Sequence, residues 1–450
     1  MKDVTVGIDI GTSSVKAIAA DADGNVVGSA RIPHPFHVPA PGRFEHDADE
    51  AWRRGPRAAL RELAGTQPVG VSVAAMVPSL TAVDDRGVPV TPGLLYGDER
   101  GRHGKRVGRP AESGELLAFL RWTLGEAPAA AGYWPAQAVA NYALAGRPVL
   151  DTTTAATASP LFDWKGWDTA IAAEVGVRPD QLPELAPTGA ECARIGGPDG
   201  PALASGCIDA FAEQLVAGAD DEGDVLVILG TTLIVWAVTP SEEPVPDHYV
   251  IPHTVPGKVL AGGPSNAGGL FLNWVASLVR DGDPPDDPGR VPVWAPFPRG
   301  ERVPLNDPER RGMLAGLDLT HGPGAVRRAA FEASGFVARR MLEATKVDAR
   351  RIVATGGGTR VAEWVQALAD ATALPVDCVA VPEGGALGSA WLARIAAGLE
   401  QPTAAPEGRR WARTGRRVEP DARWSPAVAA RYEEFLEVTG LGHPDRMARP

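Results

Sequence analysis

The chain has 450 residues, with 44 Lys and Arg against 56 Asp and Glu for a formal charge of −12, and 44% of its residues are apolar and 22% charged. This is a soluble globular composition long enough for two or three domains that each close a core, and its acidity argues against nucleic acid or an anionic membrane surface as the main partner. No run approaches the roughly 18 apolar residues of a spanning helix, and Met1-Lys2-Asp3 leads straight into an apolar segment instead of a signal sequence, so a cytoplasmic location is the default.

From the N-terminus, Val4 to Ile10 reads as a strand that meets Gly11-Thr12-Ser13-Ser14 and then a second apolar run, Val15 to Ala20. A glycine permits the tight turn, and hydroxyl side chains with free backbone N–H groups at its tip can cradle a phosphate; an ordinary β-hairpin has the same composition. Asp9 lies inside that strand. A carboxylate is costly to bury there unless compensated, either by a hydrated divalent cation bridging nucleotide phosphates or by backbone N–H groups of the turn. His34, His37 and His46 follow in a Pro-rich stretch with no helix to align their rings, so no metal site is read there. Ala48 to Leu63 has a helical pattern and Val69 to Val73 that of a strand.

Asp209 stands where Ser205-Gly206-Cys207-Ile208 enters a helix with Ile208, Phe211, Ala212 and Leu215 on one face. The helix dipole alone accounts for an acid in a first turn; a place at the junction of two halves of the chain favours a functional role. Next, Val225 to Leu229 runs into Gly230-Thr231-Thr232 and then Leu233 to Val238, repeating the N-terminal arrangement about 220 residues later. Two such loops suggest a duplicated fold with one phosphate loop from each half.

Asp281 to Pro298 reads as an exposed loop, Ala325 to Glu343 as a helix, Arg351 to Ala354 as a strand and Val361 to Thr372 as a helix. Gly356-Gly357-Gly358, between that last strand and helix, would let a flat ligand or phosphate approach the backbone. The small residues from Gly384 to Ala390 favour helix packing without a ligand. Gln401 to Arg417 reads as a linker to a last helix, Ala427 to Val438. Strands interleaved with helices predict an α/β fold. Neither GxGxxG nor GxxxxGK[ST] occurs, and there is no GxSxG elbow. Three cysteines, Cys192, Cys207 and Cys378, fit reduced thiols and no zinc framework.

The ordered series Gly7-Ile8-Asp9-Ile10-Gly11-Thr12-Ser13, Asp98-Glu99-Arg100, Gly206-Cys207-Ile208-Asp209-Ala210, Leu229-Gly230-Thr231-Thr232, Gly300-Glu301-Arg302-Val303-Pro304, Gly356-Gly357-Gly358 and Gly385-Ala386-Leu387-Gly388 resembles the FGGY carbohydrate kinases, most of all their xylulokinase branch. The resemblance runs from about residue 4 to 400. It implies two actin-like, ribonuclease-H-like (ASKHA) α/β domains with an interdomain cleft, at residues 1–214 and 215–400, followed by a tail at 401–450. It further implies Asp209 as the general base toward a sugar hydroxyl, and Asp9 with Asp209 as holders of Mg2+. Gly11, Thr12 and Ser13 with Gly230, Thr231 and Thr232 would cradle the phosphates of ATP, with Gly269, Gly356 and Gly357 near the adenosine. Phosphoryl transfer of this kind asks for positioning, a cation and backbone donors.

The chain departs from that branch where substrate is chosen. Met76-Val77-Pro78-Ser79 stands where Met-His-Gly is usual, and Tyr96-Gly97-Asp98-Glu99-Arg100 where Trp-Asn-Asp-x-Arg is usual, so two polar contacts are gone, and the stretch between Arg100 and Thr152 is shortened. Met76, Asp98, Arg100 and Asp209 remain the expected substrate contacts. The acceptor is read as a ketopentose such as xylulose or a related sugar or polyol, with Mg-ATP as donor, no nucleic-acid or membrane partner and a homodimer as the candidate assembly. The alternatives are a sugar or nucleotide sensor without turnover and an actin-like or chaperone-like ATPase.

Overall fold

The computed structural model describes residues 3–101, 114–163, 165–254, 257–283, 285–401 and 410–442. They form two compact units. The first holds residues up to 216 together with 383–401 and 410–411, the second 217–382 and 412–442.

In the first unit, Thr5–Ile10 forms an antiparallel hairpin with Ser14–Ala20, and Val26–Pro33 extends it. On its other side Thr5–Ile10 pairs in parallel with Gly70–Ala75, whose far edge takes Ala202–Ala204 and then Cys207–Ile208, also in parallel. Alternation along a strand sorts the two faces. Val4, Val6, Ile8 and Ile10 are buried in a core with Trp52, Leu63, Val71 and Val73. Thr5, Gly7 and Asp9 point the other way, toward the helix Gly384–Ala396. Thr5 Oγ1 donates to the Ala390 carbonyl at 2.9 Å, and a Cβ on Gly7 would stand 1.9 Å from the Ala386 oxygen.

The second unit repeats the plan. Asp224–Leu229 is antiparallel to Leu233–Thr239 and parallel to Arg351–Thr355, and Val259–Ser265 extends the hairpin. Its core joins these strands to the helices Pro323–Thr345, Ala362–Thr372 and Ser425–Thr439 through Phe336, Met341, Leu368, Tyr432 and Phe435. The helix expected from Ala48 to Leu63 is present as a wide π turn over Asp49–Arg54 followed by Gly55–Glu62.

Three segments pack in ways that chain order does not show. The segment 383–401, placed by sequence in the second domain, belongs to the first unit. Small residues are the reason: Cβ atoms on Gly7, Gly70 and Gly388 would lie 1.9, 2.4 and 1.9 Å from the Ala386, Ala393 and Ala212 oxygens, so the helix Gly384–Ala396 sits flush on the first sheet and on the helix Asp209–Ala217. The tail is no separate piece. Thr414–Val418 pairs with Val376–Val379, and Arg431 binds Glu332 at 2.6 and 2.8 Å while Arg328 bridges Glu332 and Asp370, a buried network that ties the last helix to the second core. Within the expected loop of Asp281 to Pro298, Val293–Ala295 is a buried strand paired with Met313–Ala315. Residues 402–409 of the expected linker and 102–113 of the shortened stretch lie outside the described residues.

All three cysteines are free and buried. Among the described residues no helix is long and apolar enough to cross a membrane.

Because Gly7 meets backbone and no flexible side chain, Gly7→Ala is expected to destabilise the protein by about 1–3 kcal/mol through overpacking. The exposed Ser29→Ala in the same sheet stays within about 0.5 kcal/mol. Urea unfolding followed by circular dichroism separates the two.

Candidate active site

Three parallel strands of the first sheet end in register. Ile10 pairs with Ala75 and Ala75 with Ile208, so Gly11, Met76 and Asp209 all stand one residue beyond their strand ends. One pair earlier, Asp9, Ala74 and Cys207 share a row and therefore a face of the sheet. The left-handed Gly206 (φ 97°) makes the jog that lets Cys207 re-join the sheet; a Cβ there would stand 2.0 Å from Gln137 Nε2. Asp209 then opens the helix Asp209–Ala217.

Two carboxylates thus come close enough for the charge of Asp9 to act on Asp209, and Asp9 faces the helix Gly384–Ala396. Asp9 is buried, and Gly385 lies against it so closely that a Cβ would be 3.1 Å from its Cγ. The first turn of that helix carries unsatisfied N–H groups and the positive end of the dipole, which favours an acid there. Its partner is Lys16, opposite in the hairpin, with Nζ 3.7 Å from Oδ2; Oδ1 has no partner. Burial raises the Asp9 pKa against the lowering effect of Lys16. The carboxyl of Asp209 is pushed up to about 7, first by burial and then by the negative charge of Asp9. Its Oδ1 accepts the Ala210 N–H at 2.7 Å.

The turn between the first two strands is pinned from behind. Gly11 N–H bonds the Ser14 carbonyl, the His34 N–H bonds the Ser13 carbonyl, and the Thr12 carbonyl accepts from His46 Nε2 at 2.7 Å. Thr12 Oγ1 meets the Tyr96 hydroxyl at 2.9 Å. The N–H groups of Thr12 and Ser13 find no acceptor among the described residues.

In the second unit the corresponding turn, Gly230-Thr231-Thr232, has its Gly230 N–H on the Thr232 carbonyl. Its Gly230 and Thr231 carbonyls accept the N–H groups of Gly269 and Leu270, which begin the helix Gly269–Leu278. Gly356 (φ 88°) follows Arg351–Thr355 and packs on the Leu229 backbone, whereas Gly357 is exposed with nothing within 4 Å of where a Cβ would be. The loop, the helix start and the glycine turn are therefore brought together at the ends of adjacent strands of that unit. Glu301 is buried beside them, pushed up to about 7 by burial and bonded to the N–H groups of Asn266 and Arg302 and to Ser265 Oγ.

The expected substrate contacts divide. Met76 is buried beside the strand ends. Asp98 and Arg100 instead form a buried scaffold: the Asp98 carboxylate accepts from the Phe44 and Arg100 N–H groups and from the Arg100 guanidinium, which also bonds Glu45 at 2.7 Å and stacks 4.7 Å over Trp122. Lys16 carries no signal until the hairpin register places it opposite Asp9, and His46, weighed in sequence only as a metal ligand, has a long-range tie to Thr12 that no local pattern marks.

Comparison with known proteins fits this geometry. Residues 4–198 match the N-terminal domain of the FGGY family of carbohydrate kinases and residues 225–397 its C-terminal domain. The chain is 26% identical to a gluconokinase of Bacillus subtilis over 82% of its own length and 83% of the relative's. It is also 26% identical to a xylulose kinase of Escherichia coli, covering 88% of this chain and 90% of that one. The crystal structure of a xylulose kinase from Rhodospirillum rubrum superposes with a TM-score of 0.77 at 27% identity, over 98% of this chain and 99% of that one. The fold is the two-domain α/β architecture of these kinases.

Because Asp98 neutralises a buried guanidinium, Asp98→Asn is expected to lower stability by about 3 kcal/mol, the order found when one partner of a buried ion pair is removed. Equilibrium urea denaturation measures it.

Proposed function

The chain belongs to the FGGY family of carbohydrate kinases, and from that premise we propose that it transfers the γ-phosphoryl group of ATP to a hydroxyl of a ketopentose, polyol or aldonate, with Asp209 as general base. The observation that carries this reading is the Asp209 carboxyl, raised to about 7 and tethered through Oδ1 by the Ala210 N–H. A base with a pKa near the working pH is best placed to accept a proton. In the step proposed, the acceptor O–H proton passes to Oδ2 while the acceptor oxygen bonds phosphorus and the bond from phosphorus to the ADP oxygen breaks. The negative charge of Asp9 beside it supplies part of the basicity.

The N–H groups of Thr12 and Ser13, and the loop Gly230–Thr232 in the second unit, are assigned to the phosphates, since donors fixed in place stabilise transferring oxygens without reorganising. Gly269, Gly356 and the exposed Gly357 are assigned to the adenosine side, where a side chain would stand in the way. Lys16, already facing Asp9, is a cation at the foot of the first loop.

The chain's residues fit a magnesium ion. Asp9 Oδ1 is a buried acceptor without a partner, and Asp209 is near enough to feel the charge of Asp9. No group of three His, Cys, Asp or Glu residues among those described forms a closed cage, which suits an ion that keeps waters and takes phosphate oxygens. When bound, Mg2+ would neutralise phosphate charge.

The names of the relatives, xylulose kinase and gluconokinase, support a sugar or sugar-acid acceptor. Asp98 and Arg100 are assigned to shaping that side of the site through Tyr96 and Phe44, with Met76 supplying an apolar wall.

Screening ketopentoses, polyols and aldonates for ADP release is expected to show one class that stimulates turnover strongly; ATP hydrolysis indifferent to all of them would overturn the proposal. On the best acceptor, Asp209→Asn is expected to lower kcat by about 10²-fold or more. A base must be ionised, so wild-type kcat/KM, which reports the free enzyme, rises with pH and levels off above about 7. The same shift has a signature in stability. Folding raises this acid's pKa from about 3.9, so its ionisation costs stability progressively from about pH 4 to pH 7. Asp209→Asn is therefore more stable than wild type at pH 8, and the gain disappears near pH 4, as read by thermal unfolding at the two values.

A further inference from the structure

Behind the first loop lies a chain of buried rings that the proposed reaction does not use. Trp52 Nε1 donates to His46 Nδ1 at 3.0 Å, and His46 Nε2 meets the Thr12 carbonyl at 2.7 Å. Trp52 is 0% and His46 1% exposed. An indole nitrogen only donates, so Nδ1 must accept, the ring hydrogen sits on Nε2, and His46 donates to Thr12. A neutral ring is the form that burial favours here; the pKa of His46 is pushed down to about 3, first by burial and then by His34. The His34 ring packs edge-on at 4.6 Å and braces it further.

The consequence for the loop follows from peptide geometry. In a planar trans peptide the C=O and the next N–H point in opposite directions. Drawing the Thr12 carbonyl toward His46 turns the Ser13 N–H the other way, where it meets no acceptor among the described residues.

We propose that His46, locked as one tautomer by Trp52, is the positioning residue of the first phosphate loop and keeps the Ser13 N–H turned toward a nucleotide phosphate. The inference rests on reading Gly11 to Ser13 as a phosphate loop. His46 does not touch the nucleotide and acts only through the Thr12 peptide.

The test uses the full chain and two readouts independent of turnover. With 15N-labelled histidine, the His46 ring is expected to resonate as the Nε2–H tautomer at pH 7. Trp52→Phe, which keeps an aromatic ring but removes the donor, adds a population with hydrogen on Nδ1. By calorimetry with MgADP, His46→Leu is expected to weaken binding tenfold or more. His46→Gln, whose amide offers one N–H to Thr12 and one oxygen to Trp52, stays within threefold of wild type. In turnover, His46→Leu raises KM for ATP and leaves KM for the acceptor within twofold. A wild-type ring protonated on Nδ1, or wild-type MgADP affinity retained in His46→Leu, overturns the inference alone. A wild type that binds no nucleotide overturns the underlying reading and the inference with it.

Discussion

Two neighbouring carboxylates, one inside a strand and one at the start of a helix, are an expensive arrangement, and much of the first unit is organised around it. Asp9 is drawn out of water by its strand, and Lys16 offsets only part of that cost, because the ion pair at 3.7 Å reaches one oxygen and leaves the other unbonded. Asp209 inherits the consequence: with burial and the charge of Asp9 nearby, its proton is held to about pH 7. A site adapted only for stability would pair or remove these acids. One that must take up a proton and hold a cation has a physical use for them.

The placement of that pair depends on missing side chains. Gly7 and Gly70 let one helix lie directly on strand backbone, Gly385 brings the start of that helix against Asp9, and Gly388 seats it on the Asp209 helix through Ala212. Any Cβ at Gly7 or Gly388 would have to displace backbone atoms. The strand register does the rest, since three parallel strands that end level present Gly11, Met76 and Asp209 on one rim. The second unit uses the same hairpin beside a parallel strand to gather its own loop, a helix start and a glycine turn.

Residues that looked alike on paper have separate physical roles. Asp98 and Arg100 read as sugar contacts, with an ion pair as the alternative; in the structure they bond each other, Arg100 also bonds Glu45 and Asp98 also accepts backbone N–H groups. Through this pair the Phe44 backbone is held in place. The histidines between His34 and His46 read as irregular, with no helix to align them, but a helix was never needed. His34 and His46 are held against each other by burial and by Trp52, while His37 stays exposed.

Chain-local physics was legible in the sequence itself. Apolar alternation and a Gly-Thr turn set out both hairpins, glycine tolerance pointed to Gly356–Gly358, and the recurrence of one pattern in two halves led to the duplicated α/β fold and to Asp9 and Asp209 as the acids of interest. Only the tertiary structure decided matters that depend on approach across hundreds of residues. The return of 383–401 to the first unit, the closure of the tail on the second core through Arg431 and Glu332, the burial of Arg100 between two acids and the tie from Trp52 through His46 to Thr12 are of this kind. Local pattern registers which backbone shape a residue prefers. It carries no record of which distant group will satisfy a donor or fill the space a glycine leaves open, because those partners meet only when the chain has folded.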